Sequence, residues 1–186
     1  MTLKPVIRAA TPADAPALLR IYRPFVESSV VSFELEVPSI DEFRKRIEKY
    51  SAGWAWLVAE VDGQCAGYAY ASALREREAY RWSAETSAYV HPSYNRTGVG
   101  RRLYLALFDA LAAKGICNAY ACIALPNDAS IAFHRSLGFT HIGVFNAVGR
   151  KFNAWHDVSW WQLRLRETPP DEDGDRFIDP RMGTDL

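Results

Sequence analysis

Two glycines, Gly98 and Gly100, open an amphipathic helix directly after a predicted strand, and this turn is well suited to hold a phosphate. Backbone N–H groups at a helix N-terminus lack intrahelical partners and, with the positive end of the helix dipole, attract anions. Arg96, Arg101 and Arg102 add positive charge at the same place. The spacing favours a pyrophosphate cradle, although a glycine before a helix often serves only to close a turn.

The common nucleotide-binding patterns do not account for this turn. The sequence contains no G-x-x-x-x-G-K-[ST] segment, which excludes a Walker-type site. The dinucleotide pattern G-x-G-x-x-G fails at its third glycine, where Leu103 stands. A different phosphate-bearing ligand is therefore expected.

The turn resembles the acetyl-coenzyme A motif of the GCN5-related N-acetyltransferases (GNAT), [QR]-x-x-G-x-[GA]. It reads Asn95-Arg96-Thr97-Gly98-Val99-Gly100, so the shorter Asn95 departs from the first position. The superfamily also expects an Asn, a helix and a G-[FY] ending, which Asn127 and Gly138-Phe139 supply. The resemblance implies acetyl-CoA as the cosubstrate. The residues it implies as acetyl-CoA contacts are Tyr89, Val90, Asn95, Arg96, Thr97, Gly98, Val99, Gly100, Arg101 and Asn127.

Four segments, one of them within the turn just described, resemble the phosphinothricin acetyltransferase family. The resemblance covers roughly Val6 to Leu165. These segments are 78–85, 95–98, 125–128 and 155–158. This resemblance, and nothing in composition or spacing, implies acetylation of the α-amine of a small amino acid analogue. The implied substrates are phosphinothricin, methionine sulfoximine and methionine sulfone. A homodimer is implied as well, with Trp155, Trp160 and Trp161 on the last predicted strand, although core packing explains these tryptophans equally well.

Acetyl transfer to an amine requires a base that removes the ammonium proton. Alternation along the predicted strand 82–90 places Ser83, Glu85, Ser87 and Tyr89 on one face. A Glu85 carboxylate just before the cofactor turn can reach a bound amine. By position alone a solvent-facing or salt-bridged glutamate explains Glu85 better, but the family resemblance makes it the expected base.

A proton donor for the departing thiolate is the second requirement. His134 lies seven residues after Asn127, where many GNAT proteins carry a tyrosine and phosphinothricin-type enzymes carry a histidine. Because an imidazole titrates near neutral pH, His134 is the expected acid, with a merely hydrogen-bonding helix histidine as the alternative. No cysteine is placed to form an acyl-enzyme, so direct attack in a ternary complex is predicted.

The resemblance also implies an acceptor pocket of basic and aromatic side chains. Arg75 and Arg77 match positions that read the substrate's acidic group, and a guanidinium suits a carboxylate, phosphinate or sulfoximine oxygen. Tyr80, Tyr89 and Phe33 are expected to wall this pocket. The alternative for the arginines is an ordinary solvated loop.

Composition excludes several classes of protein. The 186 residues carry 22 basic and 22 acidic side chains, so no overall basic surface argues for nucleic acid. Neither a signal segment nor a membrane-length apolar run is present, and a cytoplasmic protein without a membrane partner is expected. The histidines and cysteines lack metal-ligand spacing, so no metal is expected. Cys65, Cys117 and Cys122 are expected to be free core thiols, the last two on opposite faces of one strand.

Periodicity and capping signals predict an α/β fold, a single mixed central sheet flanked by helices on both faces. Strands are predicted at 6–9, 54–61, 64–73, 82–90, 118–123, 141–148 and 153–165. Helices are predicted after Thr11, from Ser39 to the Gly53 stop, from Gly98 to Lys114-Gly115, and over 127–137. The GNAT domain is predicted to span 1–166, followed by an acidic Pro/Gly-rich tail, 167–186, that is expected to be mobile.

Two other functions remain open from the sequence. One is an acetyltransferase for a peptide N-terminus or a polyamine, although Arg75 and Arg77 disfavour a polyamine because its site should be acidic. The other is a non-catalytic module that senses acetyl-CoA, which the presence of Glu85 disfavours.

Overall fold

The structure is a computed structural model that describes residues 4–169. The strands in this range are β1 Val6–Ala9, β2 Trp56–Val61, β3 Gln64–Ala73, β4 Ser83–Val90, β5 Asn118–Ala124, β6 Thr140–Lys151 and β7 Ala154–Arg164. The α-helices in the same range are α1 Ala15–Glu27, α2 Ile40–Gly53, α3 Val99–Ala113 and α4 Asp128–Ser136. Most of the predicted tail, from residue 170 onward, lies outside the described residues.

The seven strands form one mixed sheet in the order β1-β2-β3-β4-β5-β7-β6. Only β4 and β5 pair in parallel, and this ladder runs from Ser83–Asn118 to Glu85–Tyr120 and then stops. The Thr86 hydroxyl donates to the Tyr120 carbonyl at 2.9 Å, where the ladder ends. Beyond that point β4 continues to pair with β3 but not with β5, so the sheet opens a gap along one edge of β4.

Helices cover both faces of the sheet, which confirms the predicted α/β GNAT architecture. On one face α1 and α2 pack over an aromatic layer that includes Trp56, Tyr68 and Tyr89. On the other face α3 buries Leu103 and Leu107 completely against the sheet. The helix α4 lies beside α3 on that second face, around a separate cluster of buried aromatic side chains.

The local helix signals explain where the helices begin. Ser39 and Glu42 form the predicted capping box, with the Ser39 N–H donating to the Glu42 carboxylate at 2.7 Å and the Glu42 N–H donating to the Ser39 hydroxyl at 3.2 Å. At the first helix Pro12–Asp14 forms a 3₁₀ turn, and α1 begins only at Ala15. Gly53, predicted to stop α2, is instead its last residue.

Seven predicted strand bounds were wrong, six of them by one or two residues. β2 and β4 begin one to two residues later than predicted, and β6 continues past Val148 to Lys151. The segment after Val148 lacks the β-branched alternation typical of a strand, but β7 supplies the pairing, with Gly149 opposite His156 and Lys151 opposite Ala154. Phe152 and Asn153, both at positive φ, form the two-residue turn of a long β6–β7 hairpin.

Two further findings concern the described residues as a set. No helix within 4–169 is long and apolar enough to cross a membrane. Over the same range, no group of three or more His, Cys, Asp and Glu side chains lies together as metal ligands would.

Candidate active site

The gap between β4 and β5 opens into a groove of about 1080 Å³. It extends from the N-terminus of α3 to the loop between α1 and α2, and His134 on α4 lies along it. The sequence-predicted site residues that line it are Phe33, Glu85, Tyr89, Val90, Asn95, Arg96, Gly98, Gly100, Arg101, Asn127 and His134. The fold thus brings together residues from four separate segments of the chain.

Backbone conformation shapes the end of the groove at α3. Gly98, the residue before the helix, has φ +89°, a left-handed conformation that L side chains rarely adopt. A Cβ atom at Gly100 would lie 3.4 Å from the Phe133 ring and 3.6 Å from Val90 Cγ2, in ordinary van der Waals contact with these two groove residues. The first N–H groups of α3 and the exposed Arg96 and Arg101 make this end suited to an anion.

Two residues predicted to contact the cofactor use their side chains for the fold. Val99 is the first residue of α3, and its side chain is completely buried, so only its backbone is available to a ligand. The Thr97 hydroxyl donates to the Tyr94 carbonyl at 2.6 Å, and Thr97 is not among the groove residues. Arg101 lines the groove, and its guanidinium also donates to the Ser136 carbonyl at 3.1 Å, which ties α3 to the end of α4.

Glu85 lies at the last paired position of the β4–β5 ladder, facing the groove. Its carboxyl is half-buried, and burial raises the pKa above the ordinary value. A hydrogen bond with the Cys122 thiol and the charge of Arg75 offset part of this rise in pKa. A carboxylate whose pKa is moved towards neutrality is a better base for a bound ammonium than a fully solvated one.

Cys122 corrects the expectation that all three cysteines are core thiols, because it is only half-buried. All three cysteines are free; Cys117 precedes β5, whereas Cys122 lies within it and lines the groove beside Glu85. Burial and the neighbouring Glu85 charge raise the pKa of the Cys122 thiol strongly. A thiol that stays protonated is a poor nucleophile, so its position does not by itself create an acyl-enzyme route.

His134 is 7% exposed, and both of its ring nitrogens are engaged. Nδ1 lies 2.8 Å from the Ser130 carbonyl oxygen, which only accepts, so the proton of the neutral ring is assigned to Nδ1. Nε2 lies 3.0 Å from the Tyr104 hydroxyl and accepts its hydrogen bond in that tautomer. Burial lowers the pKa of His134. When the His134 ring is doubly protonated, its Nε2–H donates to the Tyr104 oxygen.

Asn127, which the resemblance implies as an acetyl-CoA contact, is the N-cap of α4. Its Oδ1 accepts the Ser130 N–H at 3.1 Å, while the residue also lines the groove. The capping bond occupies the side-chain oxygen and leaves the amide NH₂ as a donor for a ligand.

The predicted acceptor residues fall into two groups. Phe33 and Tyr89 line the groove, and Arg75 lies with its guanidinium 5.6 Å from the centre of the Trp160 ring, close enough for its charge to act on Glu85. Arg75, Arg77 and Tyr80 are all exposed on the loop before β4, and none of them is among the groove residues. Of these three residues, Arg75 is the one whose charge acts on Glu85.

Sequence reasoning missed Tyr104, Thr86, Tyr70 and Val158, which all line the groove. Tyr104 and Val158 fit the buried positions of an amphipathic helix and a strand, and nothing in their spacing distinguishes them from core residues. Tyr70 on β3 faces Ser87 across the ladder, so it shares the sheet face of Glu85. Only the cross-strand register reveals this neighbourhood.

Comparison with known proteins adds independent findings. The profile of an acetyltransferase (GNAT) domain matches residues 7–160. The phosphinothricin N-acetyltransferase of Streptomyces viridochromogenes is 41% identical over 156 residues, which cover 84% of this chain and 85% of that protein. The L-methionine sulfoximine/L-methionine sulfone acetyltransferase of Salmonella typhimurium is 35% identical, covering 87% and 95%. A phosphinothricin acetyltransferase from Sinorhizobium meliloti, solved in complex with acetyl-CoA, superposes with a TM-score of 0.86 at 36% identity, covering 92% and 95%.

Proposed function

Because the chain belongs to the GNAT acetyltransferase family, we propose that it transfers the acetyl group of acetyl-CoA to the α-amine of a small amino acid analogue. Phosphinothricin, methionine sulfoximine and methionine sulfone are the proposed substrates, in keeping with the names of its relatives. The observation that carries the proposal is the half-buried Glu85, placed where the β4–β5 ladder ends and the groove begins.

In this proposal acetyl-CoA lies along the groove with its pyrophosphate at the N-terminus of α3. The glycines Gly98 and Gly100, together with Arg96 and Arg101, suit that end to phosphate. The pantetheine arm carries amide groups, and the unpaired edge of β4 beyond Glu85 offers backbone groups that can bond to them. This arrangement brings the thioester to the point where Glu85 and the Tyr104–His134 pair meet the groove.

The proposed reaction is direct attack. Glu85 accepts a proton from the substrate ammonium, and the free amine forms a bond to the thioester carbonyl carbon. As the carbon–sulfur bond breaks, the nitrogen releases its second proton to solvent, which leaves a neutral amide. When His134 is protonated, its Nε2–H donates to the Tyr104 oxygen, and the Tyr104 O–H is released towards the sulfur. The sulfur then gains the Tyr104 proton while Tyr104 regains one from His134, so the thiolate leaves as a thiol.

A steady-state screen of acceptors tests this function. Release of free CoA thiol from acetyl-CoA is followed with phosphinothricin, methionine sulfoximine, methionine sulfone, the common amino acids, a short peptide and spermidine. We expect kcat/KM for the three analogues to exceed that for spermidine by at least about 100-fold, since each tenfold step needs only about 1.4 kcal/mol of selective contact. Turnover confined to the peptide, or acetyl-CoA binding without any turnover, would contradict the proposal.

Substitution of Cys122 separates direct attack from a covalent route. We expect Cys122→Ala to retain kcat within about threefold, because the protonated thiol does not act as a nucleophile in direct attack. The hydrogen bond from Cys122 lowers the pKa of Glu85, so its loss should move the acidic limb of the pH–rate profile slightly upward. A large loss of activity together with an acetyl adduct on Cys122, detected by mass spectrometry, would support an acyl-enzyme instead.

The different positions of Arg75 and Arg77 provide a matched pair of variants. We expect Arg75→Gln to raise the KM of anionic acceptors by about tenfold, since a charged hydrogen bond contributes roughly 1.5–3 kcal/mol. Arg77→Gln should leave that KM nearly unchanged because the charge of Arg75, and not that of Arg77, acts on Glu85. Equal effects of the two substitutions would show that the exposed loop moves as a unit over the acceptor.

A homodimer in the cytoplasm is part of the same proposal. The β6–β7 hairpin exposes Phe145, Val148, Phe152 and Trp155, with fractional exposures between 49% and 64%. An apolar patch on a folded chain commonly marks a protein interface. Free thiols and the use of acetyl-CoA fit a reducing compartment. Sedimentation equilibrium measures the mass directly, and a dimer is expected.

A further inference from the structure

Lys151, at the end of β6, is a buried lysine that the proposed chemistry does not use. It is 4% exposed, and its Nζ donates to the Val26 carbonyl at 2.6 Å and to the Ser32 carbonyl at 2.7 Å. Val26 lies in the last turn of α1, and Ser32 lies in the loop between α1 and α2. A single ammonium group therefore fixes the start of residues 28–39, which we name the acceptor loop.

The acceptor loop contacts β6 at a second point, Gly149, which lies two residues before Lys151. A Cβ atom at Gly149 would lie 2.1 Å from the Phe33 ring, so the ring rests directly against the glycine backbone. His156, the cross-strand partner of Gly149, also faces Phe33, with ring centroids 6.2 Å apart. The His156 Nε2 lies 3.0 Å from the Lys151 carbonyl oxygen, which links the two contact points.

The acceptor loop forms one wall of the groove. Val31, Ser32, Phe33 and Glu34 all line it, as do Glu85 and Val158. The Tyr22 hydroxyl lies 2.6 Å from the Ser32 hydroxyl and holds the same segment from the α1 side. The acetyl-CoA end, at Gly98 and beyond, belongs to other elements of the fold.

We propose that Lys151 and Gly149 are positioning residues that determine acceptor specificity, because they hold Phe33 as the wall of the amine-binding end. The inference rests on the proposed function, since it assigns the acceptor loop to the amino acid substrate rather than to acetyl-CoA. It predicts that loosening the hairpin end weakens acceptor binding and leaves acetyl-CoA binding intact.

Four single substitutions on β6 test the proposal. Lys151→Met keeps the length of the side chain but removes its donors, and Gly149→Ala forces the Phe33 ring away. The controls are Arg150→Met, at an exposed neighbour, and Gly143→Ala, where an added Cβ has nothing within 4 Å. We expect the first two to raise the KM of the acceptor at least about tenfold with the acetyl-CoA KM within about twofold, and the controls to change neither.

A double substitution shows whether Phe33 is the shared target. If Gly149 acts by positioning Phe33, then Gly149→Ala should have little further effect in a Phe33→Ala background. Additive effects, or a parallel rise in both KM values, would overturn the proposal. A loss of thermal stability with unchanged acceptor KM would overturn it as well, since that is the result of a purely structural role.

Amide hydrogen exchange keeps the test independent of the substrate. Lys151→Met and Gly149→Ala should speed exchange in the acceptor loop but not in the first turn of α3. If the unsubstituted protein acetylates none of the analogues, the proposed function fails, and the exchange measurement then tests only whether Lys151 and Gly149 position the acceptor loop. Unchanged exchange in the acceptor loop would overturn it.

Discussion

Replacing Glu85 with Gln is expected to lower kcat by about 10²–10⁴-fold, the usual contribution of a positioned general base. The amide keeps the size of the side chain but cannot accept the ammonium proton. The acetyl-CoA KM should change little, because Glu85 lies at the acceptor end of the groove rather than at the α3 turn. Steady-state kinetics over a range of pH measures both parameters.

The dependence of activity on pH tests the role of Glu85 most directly. As the proposed base, Glu85 would work only when ionised, so activity should rise with pH through its pKa. Because burial raises that pKa, the rise should occur at higher pH than for an ordinary glutamate. In Glu85→Gln this limb should disappear. A variant that keeps the acidic limb and loses less than about threefold in kcat would exclude Glu85 as the base.

Glu85→Gln should raise the stability of the protein although it lowers the activity. The folded-state pKa of Glu85 lies above its unfolded value, so its protonated form favours the native state, and this contribution is lost as pH rises through the folded pKa. At neutral pH, therefore, Glu85→Gln should unfold at a higher temperature than the unsubstituted protein. Glu78→Gln, at an exposed position before β4, is the control and should alter neither activity nor stability.

Replacing Gly98 with Val is expected to raise the KM of acetyl-CoA by at least about tenfold. A β-branched residue at φ +89° is strained by about 1–3 kcal/mol, and relief of that strain would turn the first N–H groups of α3 away from the groove. The valine side chain would also occupy part of the end that is open to phosphate. Titration with acetyl-CoA and the KM of the acceptor separate this effect from one on the acceptor end.

Gly63 offers a control with the same backbone conformation at a distance from the groove. It has φ +73° in the turn between β2 and β3, and an added Cβ there has nothing within 4 Å, as at Gly98. Gly63→Val should therefore lose a similar amount of stability, about 1–3 kcal/mol, without a change in the acetyl-CoA KM. An equal rise in KM for both variants would assign the effect to general destabilisation rather than to the α3 turn.

Local signals predicted the elements that carry the site. The capping box of Ser39 and Glu42, the glycine turn before α3 and the alternation along β4 were all readable because each depends on residues only a few positions apart. The face that Glu85 shares with Tyr89 follows from that alternation alone. The family resemblance then supplied the cosubstrate and the substrate class, which no local pattern contains.

Contacts between distant segments were not predictable in the same way. The β4–β5 ladder stops after Glu85–Tyr120, and this long-range register both opens the groove and places Cys122 beside Glu85. The packing of α3 against α4 decides that His134 faces Tyr104, and the extension of β6 decides that Lys151 reaches the acceptor loop.

For this protein the sequence by itself determined the order of the helices and strands, the glycine turn of the cofactor end and the face on which the candidate base lies. The tertiary structure alone decided where the sheet opens and which side chains meet Glu85, His134 and Phe33. The reason is physical. Capping and alternation act through the backbone over one or two turns, whereas the partners of a buried side chain depend on strand pairing and packing between segments far apart in the chain.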